Sequence, residues 1–352
     1  MSVSLPPRGR GTASNPFNRY APTQIIASDD GWFQEVPPSR ATEVRAETAK
    51  SIITRNQSPD LPFDRSINPY RGCEHGCIYC YARPSHAYWD LSPGIDFETR
   101  LIAKTNAAAL LEQQLSMRGY VCAPIALGSN TDPYQPIERE QRLTRQILEV
   151  LLRYRHPLTI VTKGSLILRD LDLLSELARQ RLVAVMISLT TLDDELKRIL
   201  EPRAAAPAAR LRAIRVLRGQ GIPVGVLCAP MIPMINDMEL ERLLEQAKRA
   251  GAQSAGYMFV RLPREVAPLF EEWLHAHYPQ RAEHVLSLIR QSRGGELYDS
   301  RFGHRFTGQG VFAGLLAQRF AVAIKRLGLN RRAGFDLDGS KFCPPGGQLA
   351  LL

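Results

Sequence analysis

The pattern of apolar and polar positions changes near Leu61. Before it, periodicity is weak. Residues 1–60 are rich in Pro, Ser and Arg and read as an irregular arm, with one short ordered piece around 42–53. After it, apolar runs alternate with helical patterns. The strand-like runs are APIALGS (123–129), PLTIVTK (157–163), LVAVMISLT (182–190), IPVGVLCAP (222–230) and QSAGYMFVRL (253–262). Between them lie RDLDLLSELARQ (169–180), PAARLRAIRVLRGQG (207–221) and ERLLEQAKRA (241–250), which carry helical spacing, with glycines at the ends of the last two. The strand runs are apolar throughout, as expected of parallel strands covered on both faces.

Repeated βα units with short connections predict a parallel sheet with right-handed crossovers. About six units fit if SINPYRG (66–72) is the first strand. The predicted fold class is therefore α/β, a partial (β/α)6 barrel of the TIM type. The expected division is an arm at 1–60, a barrel at 61–265, and a helical extension with a Gly/Pro-rich tail at 266–352. In such barrels chemistry sits at the C-terminal ends of the strands.

Cysteine placement sharpens this picture. The chain of 352 residues has six cysteines, and three of them, Cys73, Cys77 and Cys80, fall within eight residues directly after the first strand. A scattered set would suggest buried core thiols; a crowded one suggests metal or redox chemistry. Thiolates bind zinc or iron–sulfur clusters. A structural zinc site wants a fourth protein ligand, for which His75, His86 and Cys122 are candidates. Spacing and location favour an iron–sulfur cluster, in which three cysteines leave one iron open for chemistry. Gly72 and Gly76 suggest a tight turn around it. The remaining histidines, His156, His275, His277, His284 and His304, show no ligand spacing.

Charge adds less. The net charge is +10, compatible with a polyanionic partner or with a solvated basic surface. Lys197, Arg198, Arg203, Arg210, Arg212, Arg215 and Arg218 fall in one stretch, of which Arg212, Arg215 and Arg218 roughly share a helix face. A solvated face is the default; phosphate contact is the sharper alternative. No apolar run approaches the ~20 residues needed to span a bilayer, and the N-terminal residues have no apolar core, so no membrane is expected and the expected location is cytoplasmic.

The motif Cys73-Glu74-His75-Gly76-Cys77-Ile78-Tyr79-Cys80 resembles the signature of the radical S-adenosylmethionine (SAM) superfamily. NPYRGC, CIYCYARPSHAY, TDPYQPIE, LTRQIL, VTKGSLILRDLDLL, ISLTTLDDELKRILEPRAAAP and PMIPMIND are together similar to its spore photoproduct lyase-like (SplB-type) branch, over roughly 61–265. The resemblance implies a [4Fe–4S] cluster held by Cys73, Cys77 and Cys80. SAM would chelate the open iron and be cleaved reductively to a 5′-deoxyadenosyl radical that takes hydrogen from a substrate. It implies a reductant such as flavodoxin or ferredoxin, and it makes nucleic acid a candidate substrate.

It also implies roles for single residues. Tyr79 packs near the adenine, Lys163 meets the SAM carboxylate and Ser188 its ribose. Ser129 and Thr131, in the segment after the second strand, lie where the SAM amino group is held. Arg203 would meet a carboxylate or phosphate, or pair with Glu201. Asp132 reads otherwise as a turn former and Asp170 as a helix N-cap. In spore photoproduct lyase a cysteine after the second strand returns hydrogen to the product; Ser129 stands at the matching place. Cys122 precedes that strand and falls at the far end. Cys228 reads as a small core residue. Cys343, in the tail, would reach the site only if the tail folds over the barrel mouth. The competing readings are a non-catalytic zinc or iron–sulfur protein that binds nucleic acid, and a redox sensor without SAM.

Overall fold

The computed structural model describes residues 5–21, 41–331 and 335–345. The rest of the arm (1–4 and 22–40) and of the tail (332–334 and 346–352) lies outside them. Ten strands are present among the described residues: β1 (Glu43–Glu47), β2 (Ile53–Arg55), β3 (Arg65–Ile67), β4 (Tyr70–Arg71), β5 (Arg100–Lys104), β6 (Ile125–Leu127), β7 (Leu158–Thr162), β8 (Val183–Ser188), β9 (Val224–Met231) and β10 (Ser254–Phe259).

The main sheet has the order β10-β9-β8-β7-β6-β3-β2. From β3 to β10 every pairing is parallel, and only the edge strand β2 is antiparallel, to β3. Each strand thus lies beside its predecessor in the sheet, so the helices between them wind one way and the sheet curls as an open barrel. No pairing joins β10 to β2 or β3 among the described residues. The six parallel strands lie on the six expected runs, with ends that differ: most are shorter, while β3 begins one residue early at Arg65 and β9 ends one residue late at Met231. The first is trimmed most. Asn68 and Pro69 break SINPYRG, so β3 stops at Ile67 and β4 turns away to pair antiparallel with β5. There β5 also pairs in parallel with β1, making a small second sheet at the entrance to the cysteine loop.

One face of the main sheet is apolar and sealed: at alternate strand positions Ile67, Ile125, Leu127, Leu158, Ile160, Val183, Val185, Val224 and Val226 are all fully buried, on the face opposite the one that carries Ser188. The outer helices include Leu143–Arg153, Leu171–Arg179, Pro207–Gly219 and Leu240–Ala250. Pro207 opens its helix, where its missing N–H costs nothing. Gly251 closes the next with φ at +110°, a left-handed turn that an L side chain resists. Asp170 does stand at a helix N-cap position, but its carboxylate caps nothing: it pairs with Arg145 (3.0 Å) and Arg169 (2.9 Å). Three further helices, Val266–His277, Ala282–Gln291 and Gly310–Leu327, follow the barrel.

The tail lies at the opposite end from the one considered in the sequence reading. Asp336 and Asp338 pair with Arg181 (3.0 and 2.9 Å), Lys341 Nζ donates to the Gln180 carbonyl (2.9 Å), and the Cys343 amide donates to the Tyr154 carbonyl (3.1 Å). All these partners precede strands, so the tail closes the N-terminal end of the barrel, and Cys343 is held far from the mouth. Phe342 packs there against Tyr120 and His156, with ring centroids 5.4 Å apart in both cases. Burial lowers the His156 pKa to about 4 from 6.5, so the folded state holds it neutral. Below pH 6.5 the unfolded chain binds a proton that the native one resists. Stability from this site is therefore complete above about pH 6.5 and falls as pH drops toward 4, by roughly 3 kcal/mol at most. Urea unfolding at pH 7 and pH 4.5 should show a larger acid loss in wild type than in His156→Gln; equal losses would assign the acid sensitivity elsewhere.

Candidate active site at the cysteine loop

The three cysteines sit in a loop that follows β4 and lies at the C-terminal end of the main sheet. Gly72 (φ +74°) and Gly76 (φ +65°) make its turns, as expected. A Cβ on Gly72 would come within 2.6 Å of Leu101 Cδ2, and one on Gly76 within 2.7 Å of Glu98 Oε2. The loop backbone is fastened on several sides. The Cys73 amide donates to the Phe97 carbonyl (2.8 Å), that of Ile78 to Leu200 (3.1 Å), and that of Arg203 to His75 (3.2 Å). The buried Gln135 side chain accepts from the Glu74 amide (2.9 Å) and donates to the Gly72 carbonyl (3.2 Å). Arg83 donates to the Cys77 carbonyl (3.0 Å) and pairs with Glu98 at 2.5 Å, both side chains fully buried.

Glu98 also anchors the N-terminal residues. It accepts from the Gly11 amide (2.9 Å) and the Thr12 hydroxyl (3.2 Å), while Arg10 donates to its carbonyl (2.9 Å). Gly11 passes so close to the loop that a Cβ there would run into the Gly76 carbonyl oxygen. This described stretch of the arm is thus a strap across the outside of the cysteine loop.

Cys73 and Cys77 are buried and Cys80 half-buried. The thiols act on one another: burial pushes Cys73 well up, with Asp132, Cys77 and Cys80 adding to it, and burial pushes Cys77 up to about 12. Such thiols become ligands only when a metal centre supplies the positive charge that removes their protons. Three sulfurs on one fixed loop fit an iron–sulfur group whose remaining position is not filled by cysteine. Among the described residues, no group of three or more His, Cys, Asp or Glu side chains is arranged around a single metal ion. The candidate fourth ligands are committed elsewhere. His75 Nδ1 lies 3.3 Å from Asp132, His86 Nε2 lies 3.0 Å from the Arg100 carbonyl, and Cys122 lies at the far end of the barrel beside Gly339.

Lys163 and Ser188 both lie at strand ends facing this loop. Lys163 Nζ stands 5.9 Å from the centroid of the Tyr79 ring. Burial disfavours its ammonium, yet Cys77 and Glu201 outweigh that and raise its pKa. Ser188 is buried, its hydroxyl donating at 3.4 Å to the Ala229 carbonyl. Tyr79 is buried with its phenol donating to Glu201. Ser129 accepts from the Asn68 side chain at its hydroxyl (3.3 Å) and from the Tyr81 phenol at its carbonyl. Thr131 and Arg203, expected at the cofactor, have their polar groups engaged elsewhere. The Thr131 hydroxyl donates to the Tyr70 carbonyl (2.9 Å), and Arg203 pairs with Glu74 (3.0 Å) on the strap side of the loop. Cys228 is fully buried, a core residue as read.

Two acids do more than the sequence suggested. Asp132, in the loop after β6, ties that loop to the end of β7, accepting from the Thr162 hydroxyl (2.6 Å) and the Lys163 amide (2.7 Å) and, within its own loop, from the Tyr134 amide (2.9 Å). Burial would raise its carboxyl, but His75 and these donors bring it to about 2. Glu201 pairs with the buried Arg210 rather than with Arg203, and accepts from Thr190 (2.7 Å) and Tyr79. Burial again opposes the charge, and Arg210 and Lys163 outweigh it, so its carboxyl sits at about 2. Arg210 therefore leaves the set of candidate phosphate-binding arginines. Arg212, Arg215 and Arg218 remain exposed on the outer helix face. No helix among the described residues is long and apolar enough to cross a membrane.

A one-way parallel sheet with a three-cysteine loop after its first strand defines an open α/β barrel built around a cofactor-type site. The chain belongs to the Radical SAM superfamily, whose profile matches residues 67–247, and it is accordingly an enzyme. It is 40% identical over 233 residues to an uncharacterised protein of Mycobacterium tuberculosis, covering 66% of this chain and 68% of that one. Over 269 residues it is 24% identical to a protein of Pseudomonas phage M6 named radical SAM Nalpha-GlyT isomerase, covering 75% of this chain and 51% of that one. Its fold is similar to solved spore photoproduct lyase structures. One variant matches with a TM-score of 0.57 at 16% identity, covering 81% of this chain and 79% of that one. Another, solved with AdoMet and dinucleoside spore photoproduct, matches with a TM-score of 0.55 at 15% identity and the same coverage. The family implies an iron–sulfur cluster and SAM as cofactors, and a reductant.

Proposed function

We propose that the chain cleaves SAM reductively at a [4Fe–4S] cluster on Cys73, Cys77 and Cys80 and directs the radical to a nucleic acid. The single observation carrying the chemistry is the meeting of this loop, at its Tyr79 ring, with Lys163 at the end of β7. When bound, the cluster supplies the electron that splits SAM into methionine and a 5′-deoxyadenosyl radical. The chain's own residues hold and orient. Lys163 offers a cation for the SAM carboxylate, and the Tyr79 ring, pinned by Glu201, offers a flat wall. Ser188 offers its hydroxyl to the ribose. A flavodoxin or ferredoxin is the fitting electron donor.

Lys163→Ala should weaken SAM binding by ~1–3 kcal/mol, the worth of a charge-assisted hydrogen bond, and leave the cluster in place. Equilibrium dialysis of SAM against the anaerobic protein checks it; an unchanged affinity in a folded variant would remove Lys163 from the SAM site.

For the substrate, the support is a set of arginines laid on aromatic rings near the loop. Arg71 lies 3.7 Å from the centroid of Trp89, Arg19 4.6 Å from Tyr20, Arg261 4.1 Å from Tyr81, and Arg305 5.0 Å from Phe302. Tyr20, Tyr81, Tyr88, Trp89 and Phe302 are all exposed. Exposed rings for bases, with a guanidinium for a phosphate, are what a single strand or an extruded base needs, and because Arg19, Arg71 and Arg305 are paired with Glu265, Glu47 and Asp60, the phosphate falls to Arg261. The dinucleoside bound by the lyase neighbour agrees with this reading.

The reaction should nevertheless differ from that of the lyase. Ser129 replaces the hydrogen-returning cysteine, and a hydroxyl O–H bond is much stronger than a thiol S–H bond, so serine is a poor hydrogen donor to a carbon radical. Cys343 is at the wrong end and Cys228 is sealed in the core. Offered spore photoproduct in DNA, the reduced, SAM-loaded protein should restore no thymines. Efficient repair, followed by product chromatography, would contradict this.

A further inference from the structure

We infer that Arg261 is an anion receptor at the barrel mouth, taking a phosphate group of the substrate beside the cysteine loop. That the phosphate belongs to a nucleic acid rests on the reading above; the receptor itself does not.

Partly or fully buried arginines in this protein have protein acceptors. Arg19 pairs with Glu265, Arg71 with Glu47, Arg83 with Glu98, Arg169 with Glu138, Arg210 with Glu201, Arg305 with Asp60 and Arg319 with Glu241. Arg293, without a carboxylate, donates instead to the carbonyls of Phe259, Val260, His304 and Arg305. Arg261 departs from this rule. It follows β10 by two residues and is only half-exposed. It forms no ion pair and donates no hydrogen bond among the described residues. Its guanidinium lies instead over two rings, 4.1 Å from the Tyr81 centroid and 5.0 Å from that of Phe306.

Stacking uses the face of a guanidinium and leaves its N–H donors directed around its edge. Donors withdrawn from water without an acceptor are costly, so the arrangement calls for a ligand. The surroundings name its charge. The groups that act on Arg261 are Tyr81, Tyr298, Cys80 and a second cation, Arg305, with no carboxylate among them, and burial already lowers its pKa. An anion would relieve both the repulsion and the desolvation. A planar fork matches two oxygens of a phosphate. The place fits a substrate: Tyr81 follows Cys80 directly, so an anion on Arg261 lies next to the loop, while Lys163 attends the other side by Tyr79.

The test uses the anaerobically reconstituted full chain, wild type and Arg261→Gln, with two probes. Anisotropy of a labelled single-stranded oligodeoxynucleotide should show about tenfold weaker binding by the variant and a salt slope smaller by about one, with SAM affinity unchanged. Arg261→Lys should recover part of the affinity and the full slope. Equal affinity and slope in wild type and Arg261→Gln would overturn the proposal, and so would a loss of SAM affinity, which would make Arg261 a cofactor ligand. If wild type binds no oligonucleotide, the nucleic-acid reading fails and inorganic pyrophosphate decides the receptor. A rise in Tm with pyrophosphate in wild type that Arg261→Gln lacks sustains it; the same response in both, or none in either, overturns it.

Discussion

Cys77→Ala should abolish both the cluster and SAM cleavage while the barrel stays folded. Cys77 is one of three thiols in the loop, and a four-iron cluster that keeps one iron open for SAM has no ligand to spare. The fold has little stake in the sulfur. The loop backbone is held by Gln135, by Arg83 with Glu98, and by the Leu200 carbonyl, none of which involves a thiol. The cavity left by one sulfur in a buried but small side chain costs about 1–2 kcal/mol, much less than the whole. Iron analysis and visible absorbance after anaerobic reconstitution report the cluster, and circular dichroism reports the fold. A full four-iron cluster in folded Cys77→Ala would show that this cysteine is not a ligand.

Glu201→Ala should cost about 3–5 kcal/mol of stability, the largest effect expected from any single residue away from the cysteines. Removing the carboxylate strands the buried Arg210 guanidinium, whose remaining acceptors are the Ala205 (2.8 Å) and Ser188 (3.1 Å) carbonyls. It also takes the acceptor from the Tyr79 phenol and from Thr190. Lys163 loses one of the charges that raise its pKa. The paired change Glu201→Leu with Arg210→Met should regain most of the stability, because removing both charges leaves neither uncompensated. SAM binding should stay weak in that variant, since Tyr79 remains unpinned. Urea unfolding and SAM dialysis of the wild type and the two variants separate the two contributions. A double variant as unstable as Glu201→Ala would refute the pairing argument.

The sheet was largely legible because burial on both faces writes itself as apolar runs. All six parallel strands lie on the expected segments, most of them shorter, with β3 starting one residue early at Arg65 and β9 running one residue on to Met231. The small sheet of β1, β4 and β5 was not legible. RLIAK (100–104) is too short to distinguish from a loop, and β1 is exposed along most of its length.

At the site, the cysteines were readable because their spacing is local. Glu201 was noticed for its neighbourhood, but the one partner considered for it was Arg203. Arg203 is two residues away in sequence, whereas Arg210 reaches back from the next helix, and no spacing rule spans that turn. Gln135 clamps the loop from 61 residues away and, although it falls within TDPYQPIE, nothing in that stretch names it as a clamp; Glu98 holds the loop through Arg83 and carries no motif at all. Arg261 was hidden for the opposite reason. At the end of QSAGYMFVRL it looks like any charged residue leaving a strand, and only the lack of a protein partner sets it apart.

The most direct test of the whole account is SAM turnover by the anaerobically reconstituted protein with a strong reductant. The account predicts a brown protein with about four irons per chain that yields 5′-deoxyadenosine and methionine, at a rate lost in Cys77→Ala. A colourless protein that holds zinc on the same loop and leaves SAM intact would contradict it.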